Sequence, residues 1–340
     1  MTKVLLTGGS GFIAAHCLEQ LLAQGHNVVT TVRSEDKAQK IRDTYKDQAS
    51  RLEVVIVPDI AKEDAFDEVV KTPGLEVVLH TASPFHFNWT DPEKELINPA
   101  VVGTTGILRA IQHSAPSVRR VVVTSSFASI LDESKLTDPN HTFTEASWNP
   151  STRADIHRSK PTAYRVSKTL AEQSAWAFVR DQKPGFDLVT ICPPLVLGPL
   201  AHHLPSLDAI NESNARVVKL LRGEWKNEIP SQGPVSIWVD VRDLARAHIL
   251  AMDKPEFGGK RLFTTAGYFS NAEIAAVVRD RFPEYNDRLP GPEVKGGELP
   301  EVDKTFKWDV SATDKLLGFE WISLDKSISD LVNSLKAFGI

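Results

Sequence analysis

Val4-Leu5-Leu6-Thr7-Gly8-Gly9-Ser10-Gly11-Phe12-Ile13-Ala14 begins as an apolar run too short for a helix, passes through a glycine-rich turn, and opens into a helical pattern. Ile13, Leu18, Leu21 and Leu22 form the apolar face of that helix. The reading is strand, tight turn, helix. Gly8 can take a turn conformation closed to other residues. Gly11 lets the backbone N–H groups of Phe12 and Ile13, at the helix N-terminus, approach a diphosphate. The spacing G-x-x-G-x-x-A puts Ala14 where a third glycine would let helix pack on strand, and one methyl group should fit there. A glycine-rich turn of this kind also occurs for purely structural reasons, so the rest of the chain has to decide its use.

The next strand is Asn27 to Val32, after a helix stop at Gly25-His26, and it should lie parallel to the first. An NAD enzyme usually carries an acidic residue at its end to hold the ribose 2′-hydroxyl. This chain has Val32-Arg33-Ser34, with Lys37 one helical turn on. Arg33 and Lys37 can pair a 2′-phosphate, which favours NADPH over NADH, or they are a solvated basic pair at a helix start. Leu52 to Val57 reads as a third strand. Pro58-Asp59-Ile60 would then pass the adenine, with Asp59 accepting from its amino group or capping a helix from near Lys62. Val77 to Thr81 reads as a fourth strand, followed by the small residues Ala82 and Ser83 where the chain passes close to a cofactor. Phe85, Phe87 and Trp89 come next, either as a substrate wall beyond the strand end or as packing under a loop.

A helix over Asn98 to Ser114 and a buried fifth strand over Arg119 to Ser125 complete five alternations at βαβ spacing. The sheet is therefore expected to be parallel and doubly wound, a Rossmann α/β fold. Residues 131–161 read as a long surface excursion over the active-site mouth. A helix from Thr162 to about Val179 leads to a sixth strand, Phe186 to Cys192. Residues 1–192 and 236–265 are expected to form the dinucleotide-binding domain, with Ser236 to Ala251 and Lys260 to Thr265 returning to the main sheet. Residues 193–235 and 266–340 should be mainly a smaller, discontinuous C-terminal substrate lobe.

At 340 residues, 41% apolar and 24% charged, the chain fits one large α/β unit with an added lobe rather than a disordered protein. A net charge of −5 gives no pull toward nucleic acid or an anionic membrane. The start runs straight into a strand, and no apolar segment approaches a membrane span, so the expectation is cytoplasmic. Cys17 and Cys192 lie far apart in apolar contexts and need neither disulfide nor metal. His202-His203 resembles half a metal site without carboxylate or cysteine partners at ligand spacing, and no metal is expected.

The chemistry centres on Tyr164-Arg165-Val166-Ser167-Lys168. Tyr164 and Lys168 fall one helical turn apart on one face. A neighbouring ammonium favours the phenolate, and the pair can then move a proton. Carbonyl reduction needs this, because hydride delivered to carbon leaves an alkoxide to be protonated. Ser126, at the end of the fifth strand, can donate a second hydrogen bond to the same oxygen. Y-x-x-x-K alone is common on helix surfaces, but it follows here a dinucleotide turn and a strand ending Thr124-Ser125-Ser126.

These stretches together resemble the extended short-chain dehydrogenase/reductases, in the branch containing plant dihydroflavonol and cinnamoyl reductases. The matching residues also include Val57 to Ile60, Leu79 to Phe85, Ser147 to Pro150, and Val239 to Asp243. The resemblance implies that Tyr164 is the proton donor and that Ser126 positions the carbonyl oxygen. It further implies that Lys168 lowers the Tyr164 pKa and holds the nicotinamide ribose. By the same resemblance Thr81 belongs to the cofactor contacts, Pro193 to Val196 border the nicotinamide, and Ser213 reaches a cofactor phosphate unless it only caps a helix. Where the flavonoid-reducing branch has an asparagine after its catalytic serine, this chain has Leu131. Phe85, Phe127, Leu131 and Trp238 are therefore read as an apolar mouth for aliphatic or aryl aldehydes and ketones, each being also a core candidate.

The expected function is NADPH-dependent reduction of an aldehyde or ketone by a monomer or homodimer. A sugar-nucleotide epimerase or dehydratase with tightly held NAD is the rival within the fold, and Arg33 argues against it. A dinucleotide sensor without turnover is the rival from another class, and the Ser126, Tyr164 and Lys168 set argues against that.

Overall fold

The computed structural model describes residues 1–83, 89–201 and 203–340. In chain order its elements are β1 (Lys3–Thr7), α1 (Phe12–Ala23), β2 (Asn27–Val32), α2 (Glu35–Thr44), β3 (Leu52–Ile56), β4 (Val77–His80), α3 (Asn98–Ser114) and β5 (Arg120–Thr124). There follow β6 (Thr142–Phe143), α4 (Lys160–Gln182), β7 (Asp187–Cys192), β8 (Leu195–Leu197), α5 (Glu212–Leu221), β9 (Ile237–Asp240) and α6 (Val241–Asp253). The last are β10 (Arg261–Phe263), β11 (Gly267–Tyr268), α7 (Asn271–Arg281), β12 (Lys307–Trp308), α8 (Ser311–Leu317) and α9 (Leu324–Leu335).

Seven strands form one sheet in the order β10-β7-β5-β4-β1-β2-β3, and every pairing in it is parallel. The uninterrupted apolar strands follow from this burial on both faces. Along β1, Val4 and Leu6 enter the core beneath α1 and α6. Leu5 enters the opposite core, beneath α3, with its register partners Val29 and Val78. Strand alternation thus splits one hydrophobic run between two cores. The chain leaves β1 toward β2 on one side and finds β4 on the other, which opens a crevice at the carboxyl ends of the strands.

The turn after β1 is shaped by two close approaches. Gly8 has φ +78°, and a Cβ there would sit 3.1 Å from the Ala82 backbone beyond β4. Gly9 lies against β2, where a Cβ would fall 2.1 Å from Thr30 Oγ1, an atom already donating to the Leu6 carbonyl at 2.9 Å. Ala14 is buried, so its single methyl group is accommodated.

Four features depart from the sequence reading. No helix starts near Lys62; residues 60–68 run as turns and bends. Their carbonyls at Ile60 and Glu63 approach α3 where Gly103 and Gly106 present no side chain. Phe66, Val69 and Val70 still enter the core. The segment from Ser236 does not rejoin the main sheet. β9 pairs with β8 and β11 in a separate three-stranded sheet, and only α6 packs back under the main one. The excursion over residues 131–161 is pinned rather than superficial, since Leu136, Phe143 and Ile156 are buried and β6 pairs with β12. The C-terminal segment also divides: α9 packs in the lobe core with α5 and α7, whereas Leu317 packs in the α1–α6 core.

Gly9→Ala should destabilise the protein by about 1–3 kcal/mol through overpacking against Thr30. Urea unfolding of both single variants and the double Gly9→Ala/Thr30→Ala variant checks this. Partial recovery in the double variant is expected, and simple additivity would show that the contact is not the cause.

Candidate active site

The end of β5 divides two adjacent serines between two environments. Ser125 N donates to the Ile191 carbonyl at 2.7 Å and Phe127 N to the Pro193 carbonyl at 2.8 Å, which extends the strand past its last residue. The Ser125 hydroxyl therefore points into the protein and donates to Glu172 at 2.6 Å. Ser126 faces the opposite way, into a cavity of about 300 Å³ that Tyr164 also lines. Its Oγ accepts the Ala128 N–H at 3.1 Å, capping a short turn, and is hydrogen-bonded to the Tyr164 phenol.

Tyr164 and Lys168 project from α4, whose N-cap Ser159 accepts from Thr162 N. Burial pushes the Tyr164 phenol above its ordinary value, and the Ser126 hydrogen bond only partly opposes this. The lowering expected from Lys168 is not what this geometry gives. The Lys168 ammonium donates instead to Ser83 Oγ at 2.9 Å, and burial pushes it down to about 8. A raised phenol stays protonated at neutral pH, the state a proton donor needs.

Beside this cavity a trench of about 530 Å³ runs along the strand ends. Gly8, Gly11, Arg33, Lys37, Asp59 and Ile60 line it, together with Thr81, Ala82 and Ser83 beyond β4. The trench suits a dinucleotide in three respects. The Gly8 turn leaves no side chain between β1 and β4. Gly11 brings no side-chain cap to α1, and no acid stands in the first turn of that helix, so its positive end faces the trench uncompensated. Neither Arg33 nor Lys37 belongs to an ion pair among the described residues, while the adjacent acids are engaged, Glu35 by Arg42 at 2.5 Å and Asp36 by Lys40 at 2.8 Å. Asp59 also fastens the local turn, accepting from Ala61 N at 2.9 Å.

The side chains of Phe12 and Ile13 turn away from the trench, Phe12 facing a neighbouring cavity between α1 and α2 with its ring edge-on to His16 and Ile13 packing on the core, so the role expected of them falls to their backbone N–H groups. Several other expected site residues lie elsewhere. Val196 is buried in the same core, because β8 turns into the small sheet; Pro194 and Leu195 line the Ser126–Tyr164 cavity in its place. Ser213 lines that cavity too, away from the dinucleotide trench. Trp238 is not part of the mouth: on β9 its side chain fills the lobe core. Phe127 and Leu131 do line the cavity while packing in an aromatic cluster, where Phe127 stacks on Phe263 at 5.1 Å. Phe85, Phe87 and His202 fall outside the described residues. Trp89 is partly buried against the cluster that includes Tyr164. Cys17 and Cys192 are buried free thiols pushed up to about 12 by burial.

Sequence reasoning missed the buried carboxylate beneath the site. Glu172 stands one turn after Lys168 on α4 and accepts from Ser125, Ser129 and Thr190, at 2.6, 2.5 and 2.7 Å. Arg261 on β10 closes the cluster, donating through Nε to Glu172 at 2.7 Å and through its Nη groups to the Ser129 and Glu145 carbonyls. This holds the carboxyl below its ordinary range despite burial. The signal was an acid at the same four-residue spacing that joins Tyr164 to Lys168. The polar groups of the cavity, Arg165, Glu212 and Arg216, were also missed, Arg216 because it lies far away in sequence on α5.

A doubly wound sheet with a glycine turn, a basic residue after β2 and a hydrogen-bonded serine–tyrosine pair beside a lysine define an extended short-chain dehydrogenase/reductase. The chain belongs to the NAD dependent epimerase/dehydratase family, which it matches over residues 4–264. It is 43% identical to a ketoreductase of Aspergillus niger, over 98% of this chain and 97% of the relative. It is 39% identical to a putative NADPH-dependent methylglyoxal reductase of Candida albicans, over 97% of each chain. Yeast methylglyoxal/isovaleraldehyde reductase, solved in complex with NADPH, superposes with a TM-score of 0.87 at 33% identity, covering 99% of each chain. No helix among the described residues is long and apolar enough to cross a membrane.

Glu172→Gln should cost about 3–5 kcal/mol at neutral pH, since it leaves the Arg261 guanidinium buried without its countercharge. The carboxyl of Glu172 is depressed in the folded protein, so its contribution is present above the ordinary value of 4.5 and is lost as pH falls below it. Chemical denaturation at pH 7 and pH 4 should show the gap between wild type and variant narrowing on acidification. A gap independent of pH would show that the charge is not responsible.

Proposed function

We propose that this chain is an NADPH-dependent carbonyl reductase acting on small aldehydes or ketones. The observation that carries the reading is the Ser126–Tyr164 hydrogen bond in a cavity beside a dinucleotide-sized trench. Gly8, Gly11 and the first turn of α1, with Phe12 and Ile13 through their backbone, would hold the diphosphate. Arg33 and Lys37 would pair the 2′-phosphate, and Asp59 and Ile60 would border the adenine. NADPH, when bound, supplies the hydride.

The residues of the chain do the remaining work. Ser126 and Tyr164 donate to the substrate carbonyl oxygen, which polarises it and fixes the carbon facing the nicotinamide. The phenol, kept protonated by burial, passes its proton to the developing alkoxide. Lys168 lies within reach of Ser83 at the trench wall, where ribose hydroxyls would take its hydrogen bonds and its charge would support the departing phenolate. The segment 193–235 would supply part of the substrate contacts, with Pro194, Leu195 and Ser213 joining Phe127 and Leu131, while among the described residues no lining residue of the cavity comes from 266–340.

The epimerase alternative needs a site for a sugar nucleotide beside a retained NAD. The unpaired Arg33 and Lys37, without an acid at the end of β2, favour a phosphorylated cofactor instead.

Loss of the reduced-nicotinamide absorbance with methylglyoxal, isovaleraldehyde and an aryl ketone tests the reading, and NADPH should be used well above NADH. Tyr164→Phe should lower kcat by about 10²–10⁴-fold with a far smaller change in the Kd for NADPH measured by fluorescence titration. Substantial turnover by Tyr164→Phe would remove the phenol from its role as proton donor. Arg33→Ala should raise KM for NADPH and leave that for NADH nearly unaltered, and equal effects on both would show that Arg33 does not read the phosphate.

A further inference from the structure

The reductase reading leaves a cation in the substrate cavity without work to do. Arg216 on α5 lines the same cavity of about 300 Å³ as Ser126 and Tyr164. Its hydrogen-bond and ring partners are all neutral. Its Nε donates to the Ser213 carbonyl at 3.0 Å, its Nη1 to Asn271 Oδ1 at 3.0 Å, and its guanidinium lies 5.1 Å from the centre of the Phe269 ring. Among the described residues no carboxylate stands within ion-pair distance of it, and none makes a hydrogen bond to its Nη2.

The buried arginines are treated differently. Arg120 faces Asp187, Arg261 faces Glu172, and Arg165, the second arginine of this cavity, faces Glu133 at 2.9 Å. Glu212 lines the cavity as well, one turn before Arg216 on α5, but it is exposed and, among the described residues, forms no ion pair. Burial pushes Arg216 down to about 10, with Glu212 only partly opposing this, so the guanidinium remains charged at neutral pH at a cost in lost hydration. A half-buried cation whose hydrogen bonds all go to neutral groups, beside a catalytic pair, is what a ligand anion would complete.

We infer that the substrates of this enzyme are keto acids, with the carboxylate received by Arg216 while the carbonyl oxygen is held by Ser126 and Tyr164. The inference rests on the reductase reading for its chemistry. Hydride from NADPH reduces the carbonyl carbon, Tyr164 supplies the proton, and the carboxylate passes through unchanged. Two attachment points orient the carbonyl within a small cavity and present one of its faces to the nicotinamide. Arg216 thereby sets specificity without touching the reacting atoms. Arg165 already faces the Glu133 carboxylate and is not the receptor.

The experiment compares short keto acids of increasing length, acetoacetate, levulinate and 5-oxohexanoate, with their methyl esters, using NADPH and the full chain. Wild type should prefer at least one acid over its ester by about ten- to a hundredfold in kcat/KM, chiefly through KM. Arg216→Leu should abolish that preference, and Arg216→Lys should keep part of it. Esters reduced as well as acids by wild type, or an unchanged preference in Arg216→Leu, would overturn the inference. Calorimetric titration of hexanoate into the protein with NADP⁺ separates the two readings, because it needs no turnover. Binding by wild type that is lost in Arg216→Leu supports the anion site even if no carbonyl is reduced, and absence of binding in wild type argues against it.

Discussion

The buried ion pair of Glu172 and Arg261 is the constraint on which the site depends. It joins segments that are distant in sequence: the end of β5 through Ser125 and Ser129, helix α4, strand β7 through Thr190, edge strand β10, and the segment around Glu145. A buried pair of this kind is weak evidence for net stability, because apolar residues of equal volume often do as well. Its geometric consequence is more direct. With the hydroxyl of Ser125 held inward by Glu172, alternation along the strand turns Ser126 outward, and the four-residue spacing from Glu172 back to Lys168 and Tyr164 sets those side chains on the neighbouring turns of α4. The surface that carries Ser126, Tyr164 and Lys168 is therefore the outer side of an internal electrostatic lock.

The same logic of matched and unmatched charge marks the trench. Helix α2 carries acids and bases in nearly every turn, yet its ion pairs take up Glu35, Asp36, Lys40 and Arg42 and leave out Arg33 and Lys37. Those two face the groove. Exposed pairs of this sort contribute little to stability. Their value lies in occupying the acids that would otherwise neutralise Arg33 and Lys37, the residues proposed to meet a phosphate.

Much of this was legible in the sequence because it is local. A strand, a glycine turn and a helix declare themselves through periodicity, and β2 and α3 have the boundaries that periodicity predicts. The glycine turn, Arg33, Lys37 and the Tyr164–Lys168 spacing reach the site by the short rules of one strand end or one helix turn. What escaped depends on contacts between distant segments. Nothing around Trp238 tells a strand of the main sheet from one of a three-stranded sheet in the lobe, so its side chain was expected at the mouth and lies in a core. The turns after Asp59 carry helix-forming residues, but the close approach of α3 at Gly103 and Gly106 decides their path. Ser213 and Val196 were placed by analogy of position, and the direction taken by β8 moves both away from the cofactor trench.

Arg216 shows the limit most clearly, because its meaning comes from what does not surround it. In the sequence it is one arginine among many on an amphipathic helix. Only the assembled lobe reveals that its hydrogen bonds go to a carbonyl and an amide and that it lies against an aromatic ring, while Arg165 in the same cavity has been given an acid. If the pocket bound only neutral carbonyls, a leucine at this position would fill the space without the hydration cost of a guanidinium. An arginine retained there pays for itself only when an anion arrives, and the cavity that admits the anion is the one that holds Ser126 and Tyr164. Charge left unpaired on the inner wall thus carries information about the substrate that the apolar lining does not.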